Sequence, residues 1–128
     1  MKELTRAEEQ IMQVLWELGR AFVKDIIPRL PDPKPAYNTV STIVRIMEKK
    51  GFVGHRAYGK SYEYHSLISK QDYTKQFMRN IVKNYFGDSY PEMVSFFAKD
   101  RKLSLGELEE IRALITEEIL NHSKDTHG

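Results

Sequence analysis

Apolar residues recur every three or four positions along most of the chain, the periodicity of helices with one buried face. The first such segment covers residues 6–18 and ends before Gly19. Its predicted buried face consists of Ala7, Ile11, Val14, Leu15 and Leu18. Further helices are predicted over residues 23–30, 37–50, 70–86, 90–99 and 105–121.

Hydroxyl residues followed three positions later by an acid mark four helix starts. In such a capping box the hydroxyl accepts a hydrogen bond from an amide of the first turn, and the carboxylate bonds back to the cap. The pairs are Thr5/Glu8, Ser69/Asp72, Ser89/Glu92 and Ser104/Glu107. These pairs agree with the starts that the apolar periodicity predicts for four of the helices.

The pattern changes to strand-like between residues 52 and 65. Two segments rich in aromatic and β-branched residues, 52–58 and 61–65, flank the turn signal Gly59-Lys60, which predicts a β-hairpin. Three helices followed by a hairpin is the order of a winged helix-turn-helix. We therefore expect a mainly α protein: a winged-helix DNA-binding domain over 1–67, an α-helical dimerisation domain over 68–123, and a frayed tail over 124–128.

Charge points to a polyanionic partner for the first half. The 128-residue chain has a net charge of only +2, but residues 34–60 carry six basic side chains and one acid, Glu48. This basic segment coincides with the predicted third helix and the hairpin, or wing. Such a coincidence is typical of nucleic-acid binding.

The third helix is predicted to lie in the major groove of DNA. Its polar face stands opposite the stripe of Val40, Ile43, Val44 and Met47, and in the major groove asparagine pairs with adenine and arginine with guanine. Wing cations are expected on phosphates. The candidate DNA-binding residues are Tyr37, Asn38, Thr39, Ser41, Thr42, Arg45, Lys49, His55, Arg56 and Lys60. A protein-binding winged helix without DNA affinity is the alternative.

The apolar stripes of the second half predict self-association. A helical piece of this size buries too little apolar surface alone, and a two-fold interface would cover each stripe with its own copy. The candidate interface residues are Phe77, Ile81, Val82, Phe86, Val94, Phe97, Leu108, Ile111 and Ile115. An intramolecular bundle in a monomer is the alternative.

Several segments resemble one bacterial family. They are Leu4 to Glu8, Ile11 to Trp16, Asn38 to Thr42, Lys49 to Val53, the wing Gly59 to Tyr64, Phe97, Leu103-Ser104 and Glu107 to Glu110. In order and spacing they are similar to the penicillinase-repressor family of transcription regulators, the BlaI/MecI/CopY group. The resemblance implies a homodimeric repressor of inverted-repeat operators ahead of resistance genes and its own operon. It also implies a membrane sensor with a zinc-peptidase domain that cleaves the repressor.

The chain departs from the family pattern at two places. The family often opens its recognition helix with Ser-Pro-Lys-Thr, whereas this chain has Ala36-Tyr37-Asn38-Thr39. Where the cleavable Asn-Phe pair of the family falls, this chain has Phe96-Phe97, which is therefore the possible cleavage site. The absence of Cys excludes the copper-responsive branch with its Cys-x-Cys pair.

No catalytic, metal or cofactor motif stands out. The four histidines, His55, His65, His122 and His127, show none of the common metal-ligand spacings. Without Cys, disulfides, thiolate metal sites and a cysteine nucleophile are excluded. There is no apolar stretch long enough for a signal peptide or a membrane span. We expect a cytoplasmic protein that is not an enzyme, binds no cofactor and does not insert into membranes.

Overall fold

The computed structural model describes residues 3–127, which form six α-helices and a three-stranded sheet. The elements are α1 (Arg6–Leu18), β1 (Arg20–Phe22), α2 (Val23–Ile26), α3 (Tyr37–Lys49), β2 (Val53–Tyr58), β3 (Ser61–Ser66), α4 (Lys70–Tyr85), α5 (Tyr90–Ala98) and α6 (Leu105–His127). They divide into two compact units, the first ending at Met78 and the second beginning at Arg79. The predicted winged-helix architecture with a helical C-terminal part is confirmed.

Packing in the core of the first unit determines which face of α3 is exposed to solvent. Val40, Val44 and Met47 of α3 have no exposed surface, and they belong to the same buried cluster as residues of α1. The predicted stripe of α3 is therefore correct, with Ile43 packed against the cluster. In α1 two apolar positions differ from the prediction: Ala7 is exposed, and Met12, which the predicted face did not include, is fully buried.

The sheet holds the wing against this core. Strands β2 and β3 form the predicted antiparallel hairpin, with Gly59 at the turn at φ 61°. The short strand β1 pairs with the other edge of β3, so the strand order is β1-β3-β2. Strand β1 has only three residues, too few to show an alternating pattern of apolar and polar positions, and the sequence therefore did not predict it.

Two predicted helix ends were wrong. The second helix does not run to residue 30: α2 ends at Ile26, and a 3-10 turn continues to Arg29. Pro28 explains this, because it has no amide hydrogen for an α-helical bond. The last helix also extends beyond its predicted end at residue 121, since α6 continues to His127, and no Gly or Pro follows Gly106 within it.

All four predicted hydroxyl caps form. Thr5, Ser69, Ser89 and Ser104 each accept a hydrogen bond from the amide three residues later, at 3.3, 3.0, 3.2 and 3.1 Å. The reciprocal bond from the cap amide to the carboxylate forms at Thr5 and Ser104. These caps anchor the starts of α1, α4, α5 and α6.

The start of α4 packs on the first unit, although the predicted boundary at 67/68 assigns it to the second. The hydroxyl of Tyr73 accepts a hydrogen bond from the Leu4 amide at 3.0 Å. Its ring lies 5.8 Å from Trp16 and 6.1 Å from both Phe52 and Phe77, centroid to centroid. Phe77 is half-buried and packs against the same core with one side.

Trp16 ties α1 to the link between β3 and α4. Its indole Nε1 donates to the Ser66 hydroxyl at 3.1 Å and to the Ile68 carbonyl at 2.9 Å. Because a buried indole N–H needs a partner, these bonds fix the position at which the chain leaves the sheet.

A buried ion pair joins the start of α1 to the end of α3. Glu8 is only 3% exposed, and Lys50 Nζ donates to both of its carboxylate oxygens at 3.0 and 2.9 Å. Burial opposes ionisation of this carboxyl, but bonds from the Thr5 amide and Lys50 outweigh it and hold the pKa of Glu8 below its ordinary value of 4.5. The pair therefore stabilises the fold in the ionised form.

Glu8→Gln should lower the free energy of unfolding by about 1–3 kcal/mol at neutral pH, because it leaves the Lys50 ammonium without its counter-charge. A carboxyl with a lowered folded pKa stabilises above its unfolded pKa, and the contribution is lost as pH falls through the folded value. The difference from the wild type should therefore shrink in acid. Urea unfolding at several pH values measures this, with the exposed neighbour variant Glu9→Gln as the control. An equal loss in both variants would contradict the assignment.

Candidate nucleic-acid interface

The face of α3 opposite the core is open along its length. Of the candidate residues on this helix, Ser41 is half-buried and the others are exposed: Tyr37, Asn38, Thr39, Thr42, Arg45 and Lys49. The structure therefore places the predicted recognition residues on one accessible surface, because the helix is anchored through its other side.

Local hydrogen bonds order part of this face. Thr42 Oγ1 donates to the Asn38 carbonyl at 2.9 Å. Arg45 Nε and Nη2 donate to the carbonyl and hydroxyl of Ser41 at 3.3 and 3.4 Å. Arg45 thus lies back along the helix toward its start, and its bonds to Ser41 are long enough for a better acceptor to replace them.

The wing carries its cations at the exposed end of the hairpin. Arg56 lies opposite Glu63 in the register, and its guanidinium is 5.8 Å from the centroid of the Tyr58 ring. Lys60 follows the turn glycine and is exposed. A rigid two-stranded wing can place these charges beside a duplex without much loss of backbone freedom.

A cleft of about 270 Å³ lies between α3 and the wing. Tyr37, Ser41, Arg45, Lys60, Tyr62, Tyr64 and Val23 line it. It brings a cation from α3 and one from the wing to the same opening, among tyrosine side chains. Burial raises the pKa of Tyr64, and the nearby Glu48 carboxylate raises it further, so this side chain remains a neutral phenol.

His55 makes contacts that the sequence pattern did not predict. Its Nδ1 lies 2.5 Å from Glu48 Oε2, and its ring stacks on Tyr62 with centroids 4.3 Å apart. Glu48 and Tyr62 were both absent from the predicted site. The signals were present: Glu48 is the only acid between residues 34 and 60, and Tyr62 lies in the aromatic half of the hairpin.

Two of the six cations in the basic segment bind groups of their own chain. Lys50 binds Glu8, and Lys34 Nζ donates to the carbonyls of Pro28 and Leu30. The charge available to an outside polyanion therefore comes from Arg45, Lys49, Arg56 and Lys60. All four are exposed and lie on α3 or the wing.

The second unit exposes much of its apolar surface. Val94, Phe97, Ile111 and Ile115 are each more than a third exposed in the single chain, and Ile81, Phe86 and Leu108 are half-buried. Val82, in contrast, has no exposed surface. Its prediction as an interface residue is therefore corrected, because a side chain buried within its own chain offers nothing to a partner.

Over residues 3–127 the side chains that the structure describes form no group of three or more His, Cys, Asp or Glu able to hold a metal. In the same part of the chain no helix is both long and apolar enough to cross a bilayer.

A helix-turn-helix core with an exposed polar face on α3, next to a basic hairpin, defines a winged-helix DNA-binding protein. The sequence profile of the penicillinase repressor family matches residues 4–117. The chain belongs to this family of transcriptional repressors, as its sequence motifs predicted, and the family is not one of enzymes.

The similarity to known repressors extends over nearly the whole chain. The methicillin resistance regulatory protein MecI of Staphylococcus aureus strain N315 is 25% identical over 114 residues, covering 88% of this chain and 93% of its own. The penicillinase repressor of Bacillus licheniformis is 23% identical over 124 residues, 96% of each chain. A solved structure described as "CopR Repressor Structure" aligns with 53% of this chain and 100% of its own, at 28% identity and a TM-score of 0.44.

Proposed function

We propose that this protein is a homodimeric repressor that binds an inverted-repeat operator in double-stranded DNA. The observation that carries the proposal is the exposed polar face of α3, bordered by the wing cations Arg56 and Lys60. A helix anchored on one side and open on the other fits the major groove, where each base pair shows a distinct pattern of donors and acceptors.

Residues at the start of α3 are proposed to select the sequence. Side chains near the N-terminus of a recognition helix reach base edges in this fold class. Asn38 and Thr42 offer an amide and a hydroxyl there, and Tyr37 and Thr39 flank them on the exposed surface. Arg45 can reach a guanine if it gives up its long bonds to Ser41.

The second unit is proposed to hold two copies together. Apolar side chains on α5 and α6 are exposed, with Phe97 48% and Ile115 46% exposed, and the hydration of such a surface is unfavourable. A symmetric interface would bury these side chains and place two α3 helices on successive half-sites. All predicted interface residues except the fully buried Val82 enter this proposal.

Resistance genes are the proposed class of target, together with a membrane sensor as partner. Two relatives are named as a methicillin resistance regulator and a penicillinase repressor, which supports a resistance or sensor-peptidase operon here. The possible cleavage site Phe96-Phe97 lies in the last turn of α5, which ends at Ala98. Cleavage there would need that turn to unwind, and it would separate α6 from the remainder of the chain.

A footprint on the DNA upstream of the protein's own gene tests the proposed function. A protected inverted repeat, with affinity that falls steeply as salt rises, would support operator binding, because displaced counterions make phosphate contacts salt-dependent. Equal, weak binding to every duplex at low salt would instead favour a protein-interaction module.

Lys60→Ala should weaken binding to cognate and random duplexes alike. Each lost phosphate contact lowers the slope of log affinity against log salt by about one unit, for each protomer bound. Fluorescence anisotropy across a salt series measures the slope. Lys83→Ala removes the same charge from α4, outside α3 and the wing, and should leave the slope unchanged. An unchanged slope in the Lys60 variant would show that the wing points away from DNA.

A further inference from the structure

The contact between His55 and Glu48 joins the wing directly to the recognition helix. His55 lies on β2 and Glu48 in the last turn of α3, and both side chains are about one-third exposed, at 32% and 31%. The imidazole lies between the carboxylate at Nδ1 and the Tyr62 ring on which it stacks, with Tyr64 at 5.9 Å. The ring is therefore held from α3 and from β3 at once.

The carboxylate determines where the protons of the imidazole lie. An ionised Glu48 can only accept, so the nitrogen 2.5 Å away must donate, and Nδ1 carries a hydrogen. In the neutral ring Nε2 is then a bare acceptor, which a phosphate oxygen repels. Only the imidazolium has a second N–H, at Nε2, with which it can bind an anion.

We propose that His55 binds a phosphate of the DNA backbone through Nε2 as the imidazolium, while Glu48 holds Nδ1, so that DNA binding takes up one proton per protomer. This inference rests on the proposed function. A bound phosphate places a negative charge beside the ring and so favours its protonated form. Because the bound state holds more protons, affinity should fall as pH rises.

The charged and titratable groups beside the His55 ring lie on α3 and β3. They are Glu48 on α3 with Tyr62 and Tyr64 on β3, and the charge of Arg45 acts on Tyr64. Burial raises the pKa of Tyr64, so that phenol stays neutral. Histidine is the only side-chain type among them that ordinarily changes charge between about pH 5 and 8.

The test measures affinity for one random duplex as a function of pH, because a phosphate contact does not depend on sequence. Wild-type affinity should fall as pH rises from about 5.5 to 8, by up to about tenfold per unit for each protomer. His55→Gln should remove this dependence. His65→Gln, at the other wing histidine, should retain it. Glu48→Gln should change the dependence, because an amide can donate as well as accept and no longer fixes the hydrogen on Nδ1.

Calorimetry in buffers of different ionisation enthalpy gives an independent measure on the intact protein. It should show uptake of about one proton per wild-type protomer at a pH within the fall, and much less with His55→Gln. Identical pH dependence in wild type and His55→Gln, or no change on Glu48→Gln, would overturn the inference while leaving operator binding intact. Failure of the wild type to bind any duplex would instead overturn the proposed function.

Discussion

Ile115→Glu should convert the protein to a monomer and lower its affinity for a two-half-site operator by about 10²–10⁴-fold, the gain that tethering two sites provides. Ile115 is 46% exposed on α6, within the stripe that includes Leu108 and Ile111. In a dimer a carboxylate at this position would be buried without a partner, and burying an unpaired charge costs far more free energy than leaving it in water. Affinity for a single half-site should not change, since α3 and the wing are untouched.

Ala113→Glu provides the matched control on the same helix. Position 113 is two residues away and about 200° around the helix, so it faces away from the stripe. The same charge there should leave both the oligomeric state and operator affinity unchanged. Sedimentation velocity and anisotropy on one- and two-half-site duplexes measure the outcome. A dimer in the Ile115 variant would place the interface on another surface.

Asn38→Ala should cost about 1–3 kcal/mol per half-site on the cognate operator, because an amide that bonds an adenine edge has no substitute in alanine. A symmetric dimer on two half-sites should lose this binding free energy at each of them. On a random duplex the loss should be small, since the phosphate contacts of the wing remain. Arg45→Ala is expected to behave in the same way through a guanine.

The comparison needs both duplexes at one salt concentration, because the phosphate contribution changes with salt. Circular dichroism should show unchanged helix content in the variant, because the exposed Asn38 makes no contribution to the core cluster. Equal losses on cognate and random duplexes would mean that these side chains only hold the DNA backbone.

Local signals in the sequence predicted most of the elements. The helix starts at Thr5, Ser69, Ser89 and Ser104 follow from a hydroxyl and an acid three residues apart, and the structure contains each cap. The hairpin follows from the Gly59-Lys60 turn between aromatic segments. Such interactions lie within one or two turns of chain, and for that reason one sequence suffices to find them.

Features that depend on distant partners were missed. Strand β1 exists because β3 supplies its hydrogen bonds, with Ala21 opposite Tyr64. Tyr73 belongs to the first unit because Leu4 and Trp16 meet it there. A chain shortened at Leu67, the boundary that the sequence suggested, would lose this packing and should be less stable than one that retains α4 to Tyr85.

The chemistry of the candidate site was predictable in part. The exposed face of α3 followed from its apolar stripe, which leaves the other side outside the core. The intramolecular bonds of Lys34 and Lys50 could not be predicted in this way. In the sequence, a lysine that binds carbonyls or a buried acid of its own chain looks the same as one that binds DNA. The Glu48–His55 contact likewise crosses the turn at Gly51, which brings α3 against β2.

Trp16 makes the first unit optically distinguishable from the second. It is the only tryptophan of the chain, and its indole is held by Ser66 and Ile68 beside the Tyr73 ring. Its emission should shift to the red when α4 separates from α1, whereas far-ultraviolet ellipticity reports all helices together. Two melting curves recorded on one sample would therefore coincide if the units unfold as one, and would separate if α5 and α6 melt on their own.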